Sequence, residues 1–262
     1  MPHPVSRRTL VQGAAAVVAA GAARRARAQA RATIRIGVLT DLNGPNMASN
    51  GPGSVVGAKL AAEDFMQAHP DMAVEVLQAD YQSKPDVALG VARDWFDSHG
   101  VDALSNINNS AAALAVAGLV REKNKVALIT GAASSDLTGK ACGPNHVHWV
   151  YDTWALGKST GGALVAEGGD TWFFIGADYA FGHQLAGDTA RFVTSAGGRV
   201  LGTIYTPFPE TTDFSAYLQR AQASGAKVLG LANSGTNTTN CIKQGAEFGL
   251  RDGGMRIAAL LL

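Results

Sequence analysis

The chain has 262 residues, 47% hydrophobic and 16% charged, a globular balance with length enough for one large domain or two lobes. The formal charge of +1 is unevenly spread: the first thirty residues hold Arg7, Arg8, Arg24, Arg25 and Arg27 and no acid, so taking those five from 22 leaves 17 basic against 21 acidic residues, a net of −4. A mildly acidic body argues against nucleic acid as a partner.

The N-terminus reads as a targeting segment. Arg7 and Arg8 are followed by the apolar Leu10 and Val11, and residues 13–23 form a short, weakly hydrophobic run, too short to span a bilayer. Ala28-Gln29-Ala30 has the small-x-small form of a cleavage site. The pattern resembles a twin-arginine export signal, and the basic cluster at 24–27 fits that route better than the ordinary secretory one. The alternatives are a basic tail or a membrane anchor. Residues 1–30 are therefore expected to be a removed signal, leaving a periplasmic protein that begins at Arg31.

The first structured stretch opens with the apolar, β-branched run 34–40, expected as a buried strand. A polar, glycine-rich loop follows over 41–53. Val55, Val56, Ala58, Leu60, Ala61, Ala62 and Phe65 then recur at helical spacing. Such a strand, long loop and helix open an α/β sheet, in which loops leaving the strands' carboxyl ends carry the ligand. Further strands are expected at 73–79, 101–107 and 126–130. The helices between them fall at 86–98, with Val87, Val91, Trp95 and Phe96 inward, and at 111–123. A short strand at 146–151 follows, and the pattern restarts. Helices are expected at 156–166, 182–195, 214–223 and 237–248, and strands at 172–175, 200–205, 228–231 and 257–262. Alternating strands and helices imply parallel pairing. The expected fold is two Rossmann-like α/β lobes, 31–150 and 151–262, around a cleft.

Catalytic patterns are missing. The loop after the first strand lacks G-x-G-x-x-G, no P-loop occurs, and Ser234-Gly235 has its upstream glycine, Gly230, at the wrong spacing for a nucleophile elbow. His146 and His148 alternate on one strand face and invite a metal, but no third ligand is near, so a plain strand face is the stronger reading. His183 reads as polar surface, and Asp213 with Ser215 as a helix cap. No cofactor and no metal are expected. The strand ends carry neutral hydrogen-bonding groups instead: Asn50, Asn108, Asn109, Ser110, Ser134, Ser135, Asn233, Ser234 and Thr236. Helix N-termini bearing Ser or Asn suit a carboxylate. Tyr151, Tyr179 and Phe181 add aromatic walls. Each residue alone is more often a cap or turn former; their concentration at one end of both arrays favours a ligand cleft.

Several segments carry a family resemblance. They are the first strand with Gly44-Pro45 and Gly57-Ala58-Lys59-Leu60-Ala61, then Tyr151-Asp152-Thr153 before Leu156-Gly157. Gly176-Ala177-Asp178-Tyr179-Ala180-Phe181-Gly182, Thr212-Asp213-Phe214-Ser215 and Gln244-Gly245-Ala246-Glu247-Phe248-Gly249-Leu250 complete the set. Together they resemble the solute-binding proteins of branched-chain amino-acid (Leu/Ile/Val) ABC transporters, with the type I periplasmic binding fold. The resemblance implies a binding protein, not an enzyme. It would deliver an amino acid or organic acid to an ABC permease in the inner membrane, and would be a monomer. An exported Rossmann-like enzyme and a ligand-binding sensor module are the alternatives. The resemblance places Ser110 at the ligand carboxylate, with Ala132 and Ser134 sharing that task; Ala133 beside them is expected to line the site. It sets Asn50 where relatives carry a covering aromatic and Phe181 where lobe two supplies one. Asn109, Tyr151, Tyr179 and Ser234 complete the expected ligand-binding set. No acid is visible for an α-ammonium. Family members run on past the position of Leu262 to recross and complete both lobes, so the fold is expected to be incomplete at the C-terminus, with apolar surface exposed. Cys142 and Cys241 fall in different lobes; a disulfide is permitted by an oxidising compartment but would hinder lobe movement.

Overall fold

The structure is a computed structural model that describes residues 31–261; the expected export signal lies outside the described residues. Two parallel sheets are laid down in succession. The first is built from β1 (Ala32–Thr40), β2 (Met72–Asp80), β3 (Ala103–Asn106), β4 (Val126–Ile129) and β5 (His146–His148), in the order β2-β1-β3-β4-β5. Its helices are α1 (Pro52–Ala68), α2 (Pro85–Ser98) and α3 (Ser110–Glu122). The second sheet holds β6 (Thr171–Ala177), β7 (Arg199–Thr206), β8 (Val228–Ala232) and β9 (Arg256–Ala259), in the order β7-β6-β8-β9. It is flanked by α4 (Thr153–Ala166), α5 (Ala180–Ser195), α6 (Ser215–Ala223) and α7 (Gly235–Glu247). Every strand pair is parallel. The expected architecture of two parallel α/β lobes is what the chain forms. Among the described residues no helix is long and apolar enough to cross a membrane.

Local chemistry explains most boundaries. Pro52 and Pro85 open α1 and α2, where a missing N–H costs nothing. The Asn109 side chain accepts from Ala112 N (3.0 Å) to cap α3, and Asp152 accepts from Ala155 N (2.7 Å) to cap α4. The glycine-rich loop after β1 contains a one-turn helix, Met47–Asn50. β3 is shorter than its apolar run suggests. Asn106 (φ 74°) and Ile107 (φ 55°) both sit in the left-handed region and end the ladder. For a β-branched residue such as Ile107 that is a strained backbone, held by Ile107 N donating to Leu39 O (2.9 Å).

The core is asymmetric. In lobe one a single apolar cluster fills the space between the sheet and α2–α3. On α2 the fully enclosed positions are Ala88, Ala92, Trp95 and Phe96, whereas Val87 and Val91 are only partly covered at the margin. α1 buries only Val55 and Ala62; Val56 and Leu60 face solvent, as do Val147 and Trp149 at the far edge. In lobe two, β6 is buried along its whole length. Trp172 and Phe174 pack under α4 and α5, and Phe173 and Ile175 under α6 and α7.

Both cysteines are free, Cys142 exposed and Cys241 buried on α7, so they do not bridge the lobes. The two strand histidines are committed elsewhere than to a metal. His146 Nε2 lies 2.8 Å from Leu137 O and His148 Nε2 2.8 Å from Ala132 O. Among the described residues no cluster of His, Cys, Asp or Glu is set to hold a metal ion. His183 sits 2.7 Å from Asp178 and stacks on Tyr205.

Candidate functional site

The carboxyl ends of both sheets face one another across a cavity of about 500 Å³, counting its open mouth. Lobe one contributes Asn46, Ser49 and Asn50 from the loop after β1, Asn108 from the loop after β3, and Gly131 and Ala133 from the loop after β4. Tyr151 stands in the crossing segment. Lobe two contributes Tyr179 and Phe181 after β6, Ser234 and Gly235 after β8, and Leu261 after β9. The site is a strand-end crevice in each half, the position expected of ligands in open parallel sheets.

Six of the ten residues of the expected ligand-binding set meet at this wall: Asn50, Ala133, Tyr151, Tyr179, Phe181 and Ser234. Asn109, Ser110, Ala132 and Ser134 are buried behind it. Asn109 is fully engaged. Besides capping α3, its Nδ2 donates to Ser83 O (3.3 Å) and its N–H to Tyr81 Oη (2.8 Å). The Ser134 hydroxyl donates to Gln184 Oε1 across the lobe boundary and accepts from Asp136 N (3.3 Å). The Ala132 carbonyl is taken by His148. Ser110 Oγ differs, being buried with no hydrogen-bond partner in the protein. Asn50 is held by its main chain, whose carbonyl accepts from Asn106 Nδ2 (3.0 Å) and from Thr40 Oγ1.

Glycines set two close approaches. A Cβ on Gly131 would lie 2.7 Å from Asn106 Oδ1 and 2.8 Å from the Asn108 Cα and Cβ, so the loop after β4 can rest directly on Asn108. Gly235 (φ 57°) stands against lobe one, and a Cβ there would lie 2.6 Å from Pro45 O. At this point the lobes touch: Thr236 N reaches Pro45 O (3.4 Å), and the Ser234 hydroxyl donates to Asn46 Oδ1 (3.3 Å). A second bridge lies near the crossing. The buried Asp188 carboxylate of α5 accepts from Ser135 Oγ (3.2 Å) and Thr153 Oγ1 (2.7 Å) and pairs with Arg191.

The wall is electrically neutral. Burial pushes the Tyr179 phenol well above its ordinary value, outweighing the opposing hydrogen bond with Ser234, and burial raises Tyr151 as well. Tyr179 stacks on Phe208 (4.4 Å between centroids) and leans on Phe181 (5.9 Å). The lining residues include no carboxylate, histidine, lysine or cysteine. Such a site can sort a solute by shape and hydrogen bonding; it holds no general acid or base that titrates near neutrality.

Residues 33–262 match the periplasmic binding protein family. The chain belongs to that family. A Leu/Ile/Val-binding protein homolog from Brucella melitensis is 26% identical over 228 residues, covering 86% of this chain and 57% of its own. Among solved structures, a periplasmic binding protein from Burkholderia mallei is 44% identical with a TM-score of 0.84, over 88% of this chain and 61% of that one. A branched-chain amino acid ABC transporter periplasmic ligand-binding protein from Burkholderia xenovorans is 39% identical with a TM-score of 0.69, over 86% of this chain and 60% of that one. This periplasmic binding protein thus spans less than two thirds of the length of the relatives it matches.

Asn46, Ser49, Gly131, Gly235 and Leu261 carry no site signal in the sequence, Asn108 is there only one strand-end donor among many, and Tyr81 has no role. Tyr81 announces itself only as an aromatic just past a strand. Its partner lies 27 residues on, at Asn108, where it donates to Oδ1.

Proposed function

We propose that the protein is a periplasmic solute-binding component of an ABC importer, taking a small amino-acid-like or carboxylated solute and passing it to a permease in the inner membrane. The observation that carries this reading is the cavity between two sets of strand ends, neutral amides on one side and aromatic rings on the other, with no titrating catalytic set in its wall. The names of its relatives, a Leu/Ile/Val-binding homolog and an ABC transporter ligand-binding protein, agree with it. The protein works as a monomer and reaches the periplasm by the twin-arginine route. The lobe boundary is placed at 150/151.

The carboxylate is held by lobe one. Ser110 opens α3 just behind the wall, and its buried hydroxyl has no partner among the described residues, so a ligand oxygen that reached it would meet both an O–H donor and a helix N-terminus. Ser134 is better read as a strut between lobes. Tyr151, Tyr179 and Phe181 close over the ligand's apolar body as lobe two moves about the crossing segment.

A thermal-shift screen of L-leucine, other amino acids and benzoate identifies the ligand class; no shift with any of them would defeat the reading. Calorimetry then compares Ser110→Ala with the parent. Losing a hydrogen bond to a charged group costs roughly 1.5–3 kcal/mol, about tenfold to a hundredfold in affinity. Unchanged affinity in a folded variant would make Ser110 a helix-start residue only. For export, replacing Arg7 and Arg8 with Lys should retain the precursor in the cytoplasm; periplasmic accumulation of that variant refutes the route.

A further inference from the structure

We propose, resting on the carboxylate-binding reading above, that Asn108 is the donor that selects the ligand's acceptor group, and that Tyr81 is the positioning residue that decides which way the Asn108 amide faces.

Tyr81 follows β2 and is fully buried. Its Oη accepts the Asn109 N–H at 2.8 Å. The hydroxyl proton must then find an acceptor, and it donates to Asn108 Oδ1. This fixes the amide's two ends by chemistry. Turned the other way, Asn108 Nδ2 would present a second donor to a hydroxyl whose own proton then had nowhere to go. Oδ1 therefore faces Tyr81, leaving Nδ2 on the other side. Burial raises the Tyr81 phenol far above its ordinary value, so it stays a donor at any physiological pH.

Asn108 is itself in the cavity wall, 8% exposed, and its enclosed Nδ2 has no hydrogen-bond partner among the described residues. Buried amide donors are nearly always paired, so one left unpaired on a residue of the cavity wall points to a ligand. The side chain has little room to turn, because the Gly131 backbone rests on it closely enough to exclude a Cβ. Asn50 and Ser49 are the neighbouring polar residues of the same wall, and neither is anionic. A fixed N–H in a neutral wall donates to a carboxylate or carbonyl oxygen and discriminates against a cationic head such as an amidinium.

Titration calorimetry with benzoate and benzamidinium tests this, since the two share a ring and differ in the sign of the head group. The parent is expected to bind benzoate and not benzamidinium. Asn108→Asp keeps the shape and replaces the donor by an anion; it should lose benzoate at least a hundredfold and gain measurable benzamidinium binding. Asn108→Ala should lose about tenfold to a hundredfold. Tyr81→Phe should weaken benzoate about tenfold, and that loss should vanish in the Asn108→Ala background, since Tyr81 acts through Asn108; a merely structural Tyr81 gives additive losses. In the unmutated protein, the Asn108 side-chain amide resonance should move on adding benzoate, a readout that needs no variant to fold. A parent that binds neither benzoate nor L-leucine overturns the carboxylate-binding reading and this assignment with it. A parent that binds benzoate, with Asn108→Asp binding it equally or the amide resonance unmoved, overturns only the assignment. Additive losses overturn the role of Tyr81.

Discussion

The two lobes share a topology and differ in how they are finished. In lobe two the central strand β6 is buried on both faces, with separate apolar clusters above and below the sheet. Lobe one has one dry face, under α2 and α3, while α1 covers the other with only Val55 and Ala62. Their rims invert that order. Lobe two meets the cavity with stacked aromatic rings, whereas lobe one meets it with amides and holds unmet buried polar groups at Asn108 and Ser110. At the cavity, lobe two supplies the apolar wall and lobe one the polar groups, with the unmet ones costing stability.

The largest effect should come from the lobe-two core. Trp172 is fully buried, stacks on Phe174 (5.5 Å) and donates Nε1–H to Gly169 O (2.8 Å). Trp172→Ala is expected to cost about 3–5 kcal/mol in urea unfolding. Leu60→Ala on α1, where the side chain is 56% exposed, should stay within about 0.5 kcal/mol. Equal costs would erase the asymmetry. At the lobe-one rim, Gly131→Ala forces a methyl against Asn106 and Asn108 and should cost about 1–3 kcal/mol, with weakened ligand binding. A contrasting glycine in lobe two is Gly187, in the exposed face of α5 with open space where a methyl group would sit; Gly187→Ala should stabilise by about 0.5–1 kcal/mol with binding unchanged.

The smallest effect concerns the thiols. Burial pushes the Cys241 thiol up to about 12 from an ordinary 9.0, against a weaker opposing contact from Asn233. Below pH 9 the thiol is protonated whether folded or not, and its contribution to stability is complete. As pH rises from about 9 to 12 the unfolded chain loses this proton first, so the contribution is lost across that window. A thiol reagent at pH 8 should therefore label the exposed Cys142 quickly and Cys241 only as lobe two opens. Equal labelling rates would mean that lobe two is less closed than lobe one.

Lobe two was the easier to read from sequence because its signals are local. Trp172 to Ile175 form an unbroken apolar run, and the run is a strand buried on both faces. The cavity's aromatic side was legible for the same reason: Tyr179 and Phe181 follow a strand end directly. Lobe one's rim depends on pairings across long stretches of chain. Nothing in the residues around Ser134 reveals that its hydroxyl meets Gln184, fifty positions on. Ile107 looked like strand by its β-branched side chain, while tertiary contacts hold it left-handed. Apolar periodicity on α1 likewise spoke of helix and not of how little of it would be covered.

The contact of Ser234 and Thr236 with Pro45 and Asn46 bears on timing. Asn46 belongs both to the wall around the solute and to the place where the lobes touch. In a solute binder built this way, widening the cavity on this side separates that contact. Escape on this side would then wait on the parting of the lobes. A transporter that pries the lobes apart would remove one side of the container in the same stroke, so unlocking and discharge become a single event.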